Sequence, residues 1–356
     1  MSFKKLSVVL LSLAIVGGVL TGCGKNGGNP AGSGSSVSSA TPKSEKPLPP
    51  LDMERIAADE ARGIRFSADK RTLEWYNGDL PDKEYAIPSG VTIIGEGAFM
   101  DCESLTSVTI PSSVTTIGEW AFYQCSNLTS VTIPAGVTTI GERAFEWCRK
   151  VEVSPENPNF YIDASGALIY RGNRRLIYFP PRFSGAYAIP SGVTTIGNGA
   201  FSGCKSLTSV TIPPSVTTIG ERAFFQCSNL TSVTIPQSVT TIGMGAFSWC
   251  HKLTRVTIPA SVTTIGNGAF LWCRNLTSVT IRPGVKTIGE CAFFLCSNLT
   301  SVTIPASVTT ICYGAFEDCE RLTSVTIPAG VTTIGEGAFR NCPCEKSVKK
   351  QFPNYR

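Results

Sequence analysis

Cysteine is the most regularly spaced of this chain's residues able to do chemistry. Ten of the 14 cysteines recur at one step: positions 102, 125, 148, 204, 227, 250, 273, 296, 319 and 342. A thiol can act as nucleophile, disulfide partner or soft metal ligand. Residues stacked in register on successive repeats point their side chains in parallel, whereas a disulfide needs two that turn toward each other. Zinc needs paired spacings such as C-x-x-C, and the close pair here is C-P-C at 342–344. The ladder thiols are therefore expected to be buried, reduced and apolar in behaviour. Cys291 and Cys312 lie off the ladder, two residues out of register on adjacent repeats, and a diagonal bridge between them stays open.

The other reactive types are sparse. The single histidine, His251, has no recurring Ser or Asp partner for a hydrolytic triad and is expected to be a solvated side chain. Glu96, Glu119 and Glu142 recur at the same step and suggest a cation site at first sight; hydrated, mutually repelling carboxylates are the expectation. No phosphate loop and no acid/base pair occurs. No enzymatic activity, cofactor or metal is expected.

Cys23 is a different case. It ends MSFKKLSVVLLSLAIVGGVLTGC, where Lys4 and Lys5 precede an apolar run from Leu6 to Leu20 and then small residues. That is the pattern of a secretory signal, too short for a membrane span. The ending Leu20-Thr21-Gly22-Cys23 resembles the lipobox of bacterial lipoproteins. The resemblance implies cleavage after residue 22, diacylglycerol on Cys23, and a lipid-anchored, surface-exposed place in a bacterial envelope. Each buried CH₂ of an acyl chain contributes about 0.8 kcal/mol to attachment. Residues 23–50, rich in Gly, Ser and Pro, read as a tether with an end-to-end distance of about 30 Å.

Behind the cysteines stands a repeat. Ala-Phe pairs place phenylalanines at 99, 122, 145, 201, 224, 247, 270, 293, 316 and 339, every step being 23 residues except one of 56. The shared text is L-T-S-V-T-I-P-x-x-V-T-T-I-G-x-x-A-F-x-x-C. In the first full copy, Leu105, Val108 and Ile110 have the alternation of a short half-buried strand, and Pro111 has no N–H to continue it. Val114 and Ile117 turn inward again, Gly118 permits a tight backbone, Ala121 a close approach, and Phe122 fills the centre. One copy cannot bury that face, so ten must stack, forming a continuous apolar column about 45 Å long. Thr109, Thr132, Thr211, Thr234, Thr257, Thr280, Thr303 and Thr326 then face outward along the strands.

The text V-T-T-I-G-x-x-A-F-x-x-C-x-x-L-T-S-V-T-I-P resembles the BspA-like class of leucine-rich repeats over residues 85–342. The expected fold is a β-rich solenoid of ten 23-residue rungs, with hairpin-bearing variant rungs at the N-terminus and after the third copy. Residues 1–22 are the signal, 23–50 the tether, 51–92 an N-terminal cap with a short helix at 51–62, and 93–148 a first repeat block. A variant hairpin rung at 149–194, a second block at 195–342 and a basic tail at 343–356 complete the chain. The resemblance implies a surface protein that binds other proteins: host matrix or plasma proteins, or another cell's surface. A scaffolding role on a component of its own envelope is the alternative.

Charge excludes one further class. Only 16% of residues are charged, the net charge is +5, and loss of Lys4 and Lys5 with the signal leaves about +3. Much of that excess lies in the last residues, so the repeat body has no basic stripe for nucleic acid. The letters that vary flank Ala-Phe, and they hold Trp120, Tyr123, Trp147, Phe225, Trp249, Leu271, Trp272, Phe294 and Leu295. Grouped aromatics at positions that packing leaves free form a candidate protein-binding patch. Mutual stacking that closes the turn side of the solenoid accounts for them equally well.

Overall fold

The chain's computed structural model describes residues 48–355. The expected signal over 1–22, the expected lipidation site Cys23 and the expected tether as far as residue 47 lie outside them.

Each repeat folds into one rung with two short strands, stacked in parallel on those of its neighbours. In the first row Val210 lies opposite Val233, and Val256 opposite Val279. In the second, Ile219 lies opposite Ile242, and Ile242 opposite Ile265. β-branched residues suit these strands because their stiff side chains pack on a pleated surface. The valines and isoleucines face inward while all eight threonines of the outward row are exposed. Thr231 Oγ1 donates to Thr208 O at 3.1 Å and Thr138 Oγ1 to Thr115 O at 3.3 Å, so other threonines tie rung to rung. At Gly118 an added Cβ would lie 2.7 Å from Glu96 N and from Gly95 C of the rung before, so backbone approach there requires glycine.

The Ala-Phe loop forms a third ladder. Phe224 N donates to Ala246 O of the next rung at 2.7 Å, and Phe247 N to Ala269 O at 2.7 Å. That register stacks the rings face to face: Phe224, Phe247, Phe270 and Phe293 are 5.0, 5.3 and 5.3 Å apart and within 4° of parallel. The separation is close to the strand spacing, so backbone pairing itself sets ring stacking.

Both variant rungs carry hairpins. Arg65–Phe66 pairs antiparallel with Thr72–Trp75, which is parallel to Ile93–Ile94. Phe160–Ile162, Leu168–Tyr170 and Arg175–Tyr178 form an antiparallel set whose last strand pairs in parallel with Thr195–Ile196. Neither variant has an Ala-Phe pair, yet each supplies a ring. Tyr76 stacks on Phe99 at 5.3 Å and Phe179 lies 4.8 Å from Phe201.

The apolar column is divided in two, which corrects the expectation of a continuous one. One core runs from Ile56 to Tyr178 and the other from Ala167 to Tyr355. Tyr178 belongs to the first, its hydroxyl donating to Cys148 O at 3.1 Å, while the adjacent Phe179 belongs to the second. The second hairpin thus sends neighbouring rings into different cores.

Helices cover both ends. Helix α1 (Met53–Ala61) begins at Asp52, whose side chain accepts from Arg55 N at 3.0 Å, and buries Ile56 and Asp59. Asp59 accepts from the Tyr85 hydroxyl at 2.7 Å. The tail is more than a set of lysines: helix α2 (Glu345–Gln351) buries Val348, and the Tyr355 hydroxyl accepts from Phe339 N at 2.7 Å. It takes up a donor that a following rung would otherwise receive.

Candidate functional site: an aromatic flank on left-handed backbone

The variable positions have a backbone constraint that their side chains conceal. The residue before each rung alanine and the residue before each rung cysteine have φ between 50° and 74° in all ten rungs. Six of the ten positions before alanine are glycine, as that region favours. Trp120, Trp147, Trp249, Trp272 and Leu295 occupy such positions, with φ of 53°, 70°, 64°, 63° and 56°. A side chain there costs about 1–2 kcal/mol relative to glycine. These positions are therefore not free, and their tryptophans must recover that cost through contacts.

The recovery is visible at Trp249 and Trp272, whose rings stack at 4.4 Å and 5° on adjacent rungs, each half-buried. Arg274 caps the stack, its Cζ 4.4 Å from the Trp272 ring. His251 is tied in rather than merely solvated. It lies edge-on to Trp249 at 5.5 Å, and its Nδ1 is 3.1 Å from Trp272 O, a carbonyl that can only accept. Trp249 Nε1 is buried without a hydrogen-bond partner, an uncompensated cost within the stack.

The other candidates are distributed along the same loops. Phe225 lies under Arg222, with Cζ 5.4 Å from the ring, and Phe294 and Leu295 are half-buried. Leu271 is only 7% exposed and presents the least surface of the nine. Trp120 and Tyr123 are half-buried two to three rungs before Phe179, away from the Trp249–Trp272 pair. Trp147 covers Gly203, where a Cβ would come within 3.1 Å of the indole, and Lys205 lies 5.7 Å from its ring. Cations beside Trp147, Phe225 and Trp272 give the flank a composition of aromatic faces and positive charge. Sequence reasoning missed Lys205, Arg222 and Arg274 because their letters, the residue after the rung cysteine for Lys205 and Arg274 and the residue before the rung alanine for Arg222, hold unrelated residue types in other copies.

Beside Trp147 lies a buried charged group. Glu146 contacts Arg143 at 3.8 Å and accepts from Trp147 Nε1 at 3.2 Å, while Arg143 reaches Glu221 at 3.4 Å. Glu146 Oε2 and Ser202 Oγ are buried without hydrogen-bond partners. Burial pushes the Glu146 carboxyl above its ordinary value. Of the stacked glutamates, Glu142 is paired with Arg175 of the variant rung. Among the described residues, no group of three His, Cys, Asp or Glu is placed to hold a metal.

The ladder cysteines are all buried and carry no disulfide. They do more than fill space. Cys125, Cys148 and Cys227 donate their thiols to the carbonyls of Phe99, Phe122 and Phe201 in the preceding rung at 2.9, 3.1 and 3.1 Å. The same bond recurs from Cys250 to Cys342. Burial pushes Cys102 and Cys273 up to about 12, so these thiols are poor nucleophiles. Cys291 carries no disulfide, and burial pushes its thiol up to about 11.

A family model described as the BspA type leucine rich repeat region matches residues 76–163, 185–300 and 240–352. No curated protein matches the chain. Among solved structures, a leucine-rich repeat protein from Eubacterium ventriosum is 28% identical, with a TM-score of 0.61 over 76% of this chain and 88% of that one. A leucine rich cell surface protein from Faecalibacterium prausnitzii is 31% identical, with a TM-score of 0.54 over 71% of this chain and 59% of that one. The pneumococcal vaccine antigen PcpA, at 20% identity and a TM-score of 0.55, shares the fold. Matched along its repeats on both sides of the second hairpin, the chain belongs to the BspA-type leucine-rich repeat family.

Proposed function

We propose that this is a lipid-anchored bacterial surface protein whose solenoid binds other proteins, as an adhesin for host matrix or plasma proteins or for other cells. The observation that carries the reading is the Trp249–Trp272 stack. Two half-buried indoles stand parallel on adjacent rungs, on left-handed backbone where glycine would be easier, with Arg274 over the Trp272 ring. Tryptophan and arginine are the residue types that dominate protein-binding hot spots. The family and a relative described as a cell surface protein support the location.

The experiment is capture with the folded chain from residue 48 onward. Immobilised host matrix and plasma proteins form one arm and extract of the producing cell's envelope the other. Saturable binding in the first arm supports adhesion. Binding confined to the second overturns it in favour of scaffolding within the cell's own envelope.

A further inference from the structure

The sheets of the solenoid end after the third repeat and begin again within the second variant rung. The sheet that contains Thr139–Ile140 stops there, as does the pair of Val131–Ile133 with Val151–Val153. Phe160–Ile162 and Gly185–Ala188 begin new sheets. In the loop ladder, Phe122 N donates to Ala144 O at 2.8 Å, and the series resumes from Phe179 N to Ala200 O at 2.7 Å. The hairpin strands are wedged at this joint. Phe160, Leu168 and Tyr178 join the first core, and Ile169, Leu176 and Phe179 the second. Side chains, rather than a ladder, hold the two blocks together.

On the loop flank that contact is polar and incompletely matched. Glu146 reaches the fourth repeat, where a Cβ on Gly199 would stand 2.6 Å from its Oε2. Its side chain is only 3% exposed, and its Oε1 accepts from Trp147 Nε1 at 3.2 Å. Oε2 is buried with no hydrogen-bond partner, and the buried Ser202 hydroxyl beside the carboxyl forms no hydrogen bond either. The cations facing Glu146 are Arg143 of its own loop, 3.8 Å away, and Arg222 of the fifth repeat. Arg143 also reaches Glu221 at 3.4 Å, and Tyr123 of the second repeat is the remaining titratable neighbour. Burial outweighs the two arginines and holds the Glu146 carboxyl above its ordinary value.

We propose that this joint is a pH-sensitive hinge: neutral Glu146 latches the two blocks, and ionised Glu146 lets them rock apart on the loop flank. A neutral carboxyl tolerates burial, whereas a carboxylate with one oxygen unmatched draws water. Water can enter at the joint without breaking a ladder. The latch is complete below the ordinary carboxyl value and is lost as pH rises through the folded one. Opening lifts Trp147 off Gly203 and so changes how one aromatic of the flank is presented. The hinge itself does not depend on that flank having a partner.

The test is hydrogen exchange on the full chain from about pH 4 to about pH 8, across which a raised carboxyl titrates. Wild type and Glu146→Gln are compared at each pH, so the intrinsic pH dependence of exchange cancels. Segments 142–148 and 197–204 should exchange alike at the acid end and about tenfold faster in the wild type at the neutral end. The segment around Phe247 should differ much less, which separates opening of the joint from unfolding of a whole block. In chains labelled with fluorotryptophan, the Trp147 resonance, identified by its loss in Trp147→Phe, should shift over the same range and hold still in Glu146→Gln. Arg143→Gln removes a cation that favours the carboxylate, so it should move the transition to higher pH and keeps the test sharp should Glu146→Gln fold poorly. Equal exchange in wild type and Glu146→Gln throughout, an equally large difference around Phe247, or a transition unmoved by Arg143→Gln overturns the proposal.

Discussion

At the scale of single residues, backbone conformation and burial decide more than residue type. Trp249 sits at φ 64°, so truncation to alanine removes the ring contacts but keeps a Cβ in a strained region. Trp249→Gly should therefore be more stable than Trp249→Ala by about 1 kcal/mol, a reversal of the usual order in ordered backbone. Equal denaturation midpoints, or a higher one for alanine, would contradict the left-handed assignment. Glu146 supplies a pH test. Its folded pKa is raised above the ordinary 4.5, mainly by burial, so the protonated form suits the fold. Its contribution is complete below the ordinary value and is lost as pH rises through the folded one. Melting of the wild type should fall across that window, and Glu146→Gln should remove the fall. The thiols make a third case. Alkylating reagent should label few of the ten ladder cysteines in the native chain and nearly all of them after unfolding without reductant, since they are buried and unbridged. Predominant disulfides in the unfolded, unreduced chain would refute it.

At the scale of elements, the rung is the unit on which the sequence speaks clearly. A constant 23-residue step aligns the Val, Ile, Phe and Cys letters without ambiguity, because each has the same packing task in every copy. The left-handed positions were harder to see. Gly97, Trp120, Arg143 and Cys291 share one backbone conformation but no side-chain chemistry, and only the frequency of glycine betrayed it. Tyr76 and Phe179 were hidden for a related reason, since neither follows an alanine, although Tyr76 stands 23 residues before Phe99. The division of the core was illegible because it depends on which way two consecutive rings, Tyr178 and Phe179, turn. The clear part permits a firm prediction. Phe247, fully buried between Phe224 and Phe270, should cost about 3–5 kcal/mol when changed to alanine. In a solenoid that loss stays partly local, so limited proteolysis should cut first near residue 247. Unchanged resistance there would show that the ring is not at the rung centre.

At the scale of the whole molecule, the proposed lipid anchor and the long repeat serve one purpose if the solenoid presents its flank to partners outside the cell. The anchor is tested at Cys23: a Cys23→Ser chain should move from detergent-extractable membrane to soluble fractions, and its retention with the signal cleaved would end that part of the account. The flank is tested most directly by binding, because stability reports on contacts within the chain and a hot spot is defined by contacts outside it. The decisive measurement titrates the captured protein ligand against Trp249→Ala and Trp272→Ala beside Thr257→Ala and Thr280→Ala, with circular dichroism to confirm folding. The account predicts losses of about 2 kcal/mol or more for each tryptophan and little change for either threonine. Binding that survives both tryptophan truncations and fails with the threonines would contradict it, and would move the contact surface to the strand row.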